Sequence, residues 1–448
     1  MFGVTNRDRV ANGREHNIPR WLFWVLMAVF FTPPMRLPGE IPFRIDDLFV
    51  AVAGGLMLAR WILRFRAPKL DWVSASLLLM AISMPLSAFF AQQSSSLPVG
   101  IKEYLDLIRP LKFLFLYLAL MRSDALSCLQ SLKSAFRYAV PALTFFALIQ
   151  FIFLNPASNG VVARFFLFFT ELKPEHARSF FGLRPFATFH TPTDLGYVMT
   201  LLLAASLSIP GEHKWSTRTA CVVGLTLSNT RTFLFALPLV FGICAILNAD
   251  TFWKKMTRLF WSFSGVAFVG VLIFYIAPLV NPNFSRNIAR SGNALVTGDF
   301  AEDDSIAVRL HKLELVVYTW DHAKYFGVAS RELLGPAADS EYVFTFHRYG
   351  LIGIMVLLGI YVGCLVNTHR LLSYQRDLYL FTILVLFTTF IYGFTQGALI
   401  NTRTGVIPIA VIAIASKRAR EAGLGHVRIL TGPVRSAPVE SVGGAVSL

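Results

Sequence analysis

Charge is what this chain has least of: Asp, Glu, Lys and Arg together make up 15% of 448 residues, against roughly 25% in soluble proteins. That excludes an ordinary soluble domain. Cysteine is scarce as well. Cys128, Cys221, Cys244 and Cys364 show no paired spacing, which argues against a disulfide framework or a zinc site. Acidic residues are outnumbered, 26 against 41 Lys and Arg, for a net charge of +15. In a soluble chain that excess would suggest nucleic acid. Here many of the cations lie in short gaps between apolar runs, so membrane topology accounts for them and no nucleic-acid partner is implied. No internal repeat is clear enough to support the inverted halves of a transporter. The first apolar segment lacks a small-residue cleavage site and is followed by Pro33-Pro34, so it reads as a retained helix rather than a signal peptide.

What is abundant is apolar surface: 55% of the residues are hydrophobic, and mean hydropathy is +0.58. A helix needs about 20 mostly apolar residues to cross the hydrocarbon layer, fewer if its ends are anchored in the headgroups. Apolar segments at about 20–33, 45–63, 71–91, 101–121, 136–154, 195–209, 216–230, 232–248, 256–280, 341–366, 378–396 and 404–416 meet that test. The fold expected is therefore all-α, a polytopic helical bundle of about twelve transmembrane helices. With a cytoplasmic N-terminus, the inside connections hold Arg64, Arg66, Lys69, Arg122, Lys133, Arg137, Lys214, Arg218, Lys254, Lys255, Arg258, Arg370 and Arg376. The outside ones hold only Arg36, Arg44, Lys102, Arg231 and Arg403. That asymmetry follows the positive-inside rule and places both termini in the cytoplasm. Residues 1–19 form a cytoplasmic N-terminus, 20–416 the transmembrane domain, and 417–448 a disordered cytoplasmic tail. Two long connections, 155–194 and 281–340, fall outside and read as a folded outer face.

Four polar interruptions carry the candidate chemistry. The first runs from Arg184 through His190 and Asp194 to Gly196. Pro192 with Thr193 or Asp194 suits a helix start, and a guanidinium beside a helix N-terminus is a credible phosphate site. An interfacial Arg meeting lipid headgroups is the alternative. The second, Ser228-Asn229-Thr230-Arg231, breaks 32 otherwise apolar residues. Two short helices turning there put Arg231 at the outer surface, as a functional group or as the partner of Asp194 or Glu341. In the third, Arg309 opens an amphipathic stretch to Trp320, with Leu310, Leu313 and Val317 at helical spacing. An Arg at a helix N-terminal end implies an anionic partner. The acidic run Glu302-Asp303-Asp304 ahead of it reads as solvated surface rather than a metal site. The fourth enters a helix at Asp339-Ser340-Glu341. Either acid is a general base or an Arg counter-ion, and Gly350 and Gly353 allow a close contact or a kink. His347 is a proton carrier or a satisfied buried imidazole. Glu103, Asp106, Arg109 and Lys112 repeat every three residues, which suggests ion pairs along one helix face.

These interruptions, with Trp320 and Phe326-Gly327-Val328, occur in an order that resembles the O-antigen polymerase and ligase superfamily. The resemblance covers residues 180 to 365. Its members are bacterial inner-membrane glycosyltransferases with about a dozen helices and large periplasmic loops. They act on oligosaccharides linked to undecaprenyl diphosphate. The resemblance implies that Arg184, Arg231 and Arg309 bind the donor diphosphate, without metal or cofactor. It implies that Asp339 or Glu341 serves the acceptor hydroxyl. Expected partners are the lipid-linked glycan, membrane lipids, and a chain-length regulator and flippase of the same pathway. Lipid A-core ligases typically carry a His nine residues before Gly-x-x-Gly. Asp339-Ser340 stands there instead, which favours a polymerase of O-antigen or exopolysaccharide over a ligase. A secondary transporter of an anionic substrate is the reading from a different class.

Overall fold

The computed structural model describes residues 20–33, 35–37, 41–64, 70–94, 101–169, 174–181, 184–209, 214–228, 230–247, 251–280, 304–328, 340–395, 397–399, 401 and 403–430. Among them the chain is helical apart from one antiparallel hairpin. Its strands β1 (Met35–Leu37) and β2 (Ile41–Phe43) join α1 (Arg20–Phe31) to α2 (Ile45–Arg64). There follow α3 (Trp72–Ser94), α4 (Ile101–Arg122), α5 (Ala125–Phe153) and the short α6 (Val161–Leu167) and α7 (Pro174–Arg178). The chain continues through α8 (Pro192–Ser208), α9 (Lys214–Ser228), α10 (Arg231–Leu247), α11 (Phe252–Val280) and α12 (Asp304–Ala323). Last come α13 (Glu341–Thr368), α14 (Leu371–Tyr374), α15 (Arg376–Gly393) and α16 (Val406–Leu430). By length and composition, α5, α13 and α15 are able to cross a membrane. These apolar helices mark a membrane protein.

Two helices form the centre. Almost every described side chain of α8 from Asp194 to Ala205 is buried, as is α16 from Val406 to Ser416. A helix that is apolar all round belongs inside a bundle. The few polar side chains of α8 find partners there: Tyr197 Oη lies 2.8 Å from Thr389 Oγ1, and Thr200 Oγ1 3.1 Å from Tyr392 Oη, both on α15.

Local chemistry moves several expected boundaries. α5 starts at Ala125, well before the apolar segment, because Asp124 caps it by accepting the Ser127 N–H. The connection 155–194 contains the helices α6 and α7. α12 starts at Asp304, so Arg309 stands in its second turn rather than opening it. The tail expected to be disordered from residue 417 is instead helical to Leu430. Its first turns are held by contacts to neighbouring elements: Arg418 donates to Gln375 at 3.2 Å, and Arg420 pairs with Asp71 at 2.7 Å. Residues 1–19, 281–303 and 431–448 lie outside the described residues.

α13 is interrupted. Gly350 has φ +61°, outside the helical region, and splits it into two segments. The turn after α12 fills the break: Val328 N–H donates to the His347 carbonyl (2.7 Å), Leu351 N–H to Lys324 (2.8 Å) and Ile352 N–H to Tyr325 (3.3 Å). Backbone groups freed by a kink are thereby satisfied by protein, as an apolar surrounding requires. Gly327, at φ +73°, is the counterpart: a Cβ there would come within 2.4 Å of the Arg348–Tyr349 peptide, and one on Gly350 within 2.4 Å of Tyr325 backbone.

Candidate functional site

The segment from Arg184 to Asp194 is built from both sides. Gln150, a lone amide in the apolar last third of α5, receives the N–H groups of Phe186 and Ala187, each at 2.8 Å, on Oε1. Its Nε2 donates to the Ala187 carbonyl at 3.1 Å. Ala187 needs that hold, because its φ of +51° is a conformation that costs an L-residue about 1 kcal/mol. The segment ends in a capping box. Thr191 Oγ1 accepts the Asp194 N–H, and the Asp194 carboxylate accepts the Thr191 N–H, both at 3.2 Å. The cap is thus Thr191, not Thr193 or Asp194. Asp194 sits one residue ahead of the apolar stretch 195–209. Its side chain is buried there. The Asp194 side chain thus already occupies the α8 N-terminus. Arg184 is half-buried where this segment begins.

A second loop packs against the first. The connection between α15 and α16, residues 394–405, is anchored by Arg403, whose guanidinium donates to the carbonyls of Val29 (2.6 Å), Thr188 (2.6 Å) and Phe30 (3.1 Å) and lies over the Phe189 ring. Thr188 itself donates to the Phe30 carbonyl at 2.5 Å. Asn401 donates to Asp194 at 3.4 Å. Glu341, buried at the start of α13, holds the other side of this loop. Its carboxylate accepts the Leu399 N–H at 2.9 Å and the Ala398 N–H at 3.2 Å. Ser340 caps α13 through the Val343 N–H and also donates to the Gly393 carbonyl at 3.3 Å.

The α9–α10 turn closes the group. α9 ends at Ser228 and α10 begins at Arg231, the two-helix arrangement expected from the polar break. Gly196 allows the approach: a Cβ there would lie 2.6 Å from Thr230 Oγ1 and 3.0 Å from Ser228 Oγ. The N-terminal end of α10, where the helix dipole favours anions, thus lies beside the first turn of α8.

One end of the bundle therefore gathers the Arg184–Asp194 segment, the start of α10 at Arg231, Glu341, and the Arg403 loop. Arg309 lies within α12, while Asp339 falls outside the described residues. Lys112 reaches across from α4 to Asp46 and Asp47 at the start of α2, each at 2.5 Å, and Arg44 joins Asp46 at 3.2 Å. These partners lie on another helix, whereas the three-residue spacing suggested ion pairs along one face; the side chains of Glu103, Asp106 and Arg109 lie outside the described residues. Sequence reasoning counted Arg403 and Arg44 only for topology and passed over Gln150. Gln150 and Arg403 had the same signal as Arg231, a strongly polar side chain bordered by apolar segments. Among the described residues no group of His, Cys, Asp and Glu is arranged to hold a metal.

A scan against protein-family models finds no match to this chain, and a search of curated proteins finds none either.

Proposed function

We propose that the protein is a polysaccharide polymerase of the bacterial inner membrane, a metal-independent glycosyltransferase with about twelve transmembrane helices, cytoplasmic termini and two long periplasmic connections. It transfers a growing glycan from undecaprenyl diphosphate to a sugar hydroxyl of another lipid-linked repeat unit. The observation that carries this reading is the meeting of the Arg184 segment, the Arg231 helix start and the Glu341-held loop at one bundle end. The charge asymmetry of the connections supports a periplasmic position for that end.

In the reaction, the acceptor hydroxyl attacks the anomeric carbon, a glycosidic bond forms, and the bond to the diphosphate breaks. Arg184, Arg231 and Arg309 stabilise the charge that develops on the departing diphosphate. An acid at the start of α13 takes the hydroxyl proton. Asp339 suits that step better than Glu341, whose carboxylate oxygens already receive two backbone N–H groups.

Replacing Arg184 or Arg231 by Ala abolishes polymer while the protein remains in the membrane. Full activity in both variants contradicts the diphosphate role. A second reading, a secondary transporter of an anionic substrate, draws support from the break in α13 at Gly350, since transporters use interrupted helices. Substrate-dependent flux in sealed vesicles, without glycan transfer, is the result that favours it.

A further inference from the structure

The chain after α5 turns back along it. Arg137 is exposed on α5, and from there the ~30 Å of a hydrocarbon layer, about 20 residues of helix, ends near residue 157. A polar turn stands at that level. The Ala157 N–H and the Ser158 hydroxyl donate to Asn155 Oδ1 at 3.0 and 3.2 Å, and Ser158 Oγ accepts the Asn155 N–H at 3.0 Å. Past this turn α6 descends again. Its Phe165 and Phe166 rings lie 6.0 and 6.1 Å from that of Phe146, about two turns, or ~10 Å, short of the end of α5 at Phe153.

The outward face of α6 is apolar. Val161, Val162, Phe165 and Phe168 are exposed, Val161 83% and Phe168 65% so. That face continues the surface of α5: exposed Phe145 meets Phe146 at 6.1 Å, Phe146 meets Phe165, and Phe165 meets Phe169 at 5.1 Å. Ile152 and Phe153 of α5 are exposed as well. Because α5 is long and apolar enough to cross a membrane, its exposed rings face acyl chains, and the rings of α6 that extend them share that surrounding. Arg164 is the single charge in α6, and an arginine at this depth keeps its head at the phosphates while its stem lies in the apolar layer.

The inward face of α6 holds the Arg184 segment. Ala163 and Phe166 are buried in a cluster with Leu154, Phe181 and Phe186, and the last two rings stack at 5.9 Å. Phe181 and Phe186 bracket Arg184 along the chain. Gln150, which receives the Phe186 N–H, stands about one turn, or ~5 Å, short of the end of α5.

We propose that α6 is inserted into the membrane leaflet around the end of α5, with acyl chains as its partner, and that it thereby holds the Arg184 segment at the depth of the lipid phosphates. The connection 155–194 is then in part a membrane element rather than wholly an outer face. The insertion is independent of any enzymatic role. Only the use of that depth, to meet the diphosphate of a membrane-held carrier, rests on the polymerase reading.

The test places a nitroxide on cysteines introduced singly into the full chain in lipid nanodiscs, with the identically treated parent protein as background for its four native cysteines. Collisions are measured with oxygen, which partitions into acyl chains, and with a nickel chelate, which stays in water. Labels at Val162→Cys, Phe165→Cys and Phe168→Cys should favour oxygen, as one at Phe145→Cys does, whereas Asn155→Cys and Asn159→Cys should favour nickel. Nickel access at Phe165→Cys and Phe168→Cys overturns the insertion. Shielding from both reagents overturns it too, since protein rather than lipid would then cover the face. A label at Arg184→Cys should read a depth between those of Phe165→Cys and Asn159→Cys, and one as open to nickel as Asn159→Cys contradicts the positioning. Lipid-buried α6 labels together with full polymer formation in Arg184→Ala would leave the insertion standing and overturn the diphosphate role.

Discussion

Gln150 and Ala187 exchange two hydrogen bonds, the Ala187 N–H to Oε1 at 2.8 Å and Nε2 to the Ala187 carbonyl at 3.1 Å. A single side chain on α5 thus satisfies both backbone groups of the one non-glycine residue with positive φ among the described residues. Gln150→Leu leaves these groups and the Phe186 N–H buried without it. The expected loss is about 3 kcal/mol or more, visible as a lower melting temperature in detergent. Ala187→Gly keeps the bonds and relieves about 1 kcal/mol of backbone strain, so its melting temperature should be unchanged or higher.

Gly327 and Gly350 form a single contact seen from two sides. Alanine at either position places a Cβ 2.4 Å from backbone atoms, at a φ that disfavours any side chain. Each variant should lose about 2 kcal/mol or more, and the double variant less than the sum, because the same packing is broken. Additive losses in thermal unfolding contradict that coupling.

Arg403 satisfies three carbonyls with three different nitrogens. Lysine supplies the charge but not the planar fork, so it cannot reach Val29, Thr188 and Phe30 together. Arg403→Lys should therefore lower stability by about 2 kcal/mol or more and increase proteolysis in the segment 184–194.

Lys112, partly buried, meets the fully buried Asp46 where α2 packs against α4. Lys112→Met leaves Asp46 with Arg44, at an expected cost of about 2 to 3 kcal/mol, below the ~3–5 typical when a buried charge loses its whole partner set. Equal melting temperatures for Lys112→Met and the parent protein contradict this.

The helices were legible because apolar period and length act locally. The segment expected at 195–209 is the helix Pro192–Ser208, and the polar break at 228–231 separates two helices. Boundaries failed where a single side chain decides them, as when Asp124 starts α5 before its apolar run or Arg420 holds α16 by reaching Asp71. Three of the polar interruptions meet at one end of the bundle, yet the sequence did not reveal partners distant along the chain. Nothing local connects Arg403 to Phe30, or Glu341 to Leu399, since those contacts exist only once the helices pack. The Gly350 kink was legible as a possibility from its spacing with Gly353. Its partner, the turn at 324–328, was not, because it contributes backbone groups that carry no sequence signature.

The central claim is transfer between lipid-linked glycans, and reconstitution tests it most directly. Purified protein is given an undecaprenyl-diphosphate-linked repeat unit, with and without a lipid A-core acceptor, and the products are separated on a gel. A ladder of lengths without added acceptor is the result expected of a polymerase. A single transfer seen only with lipid A-core, or no product from its own repeat unit, contradicts it.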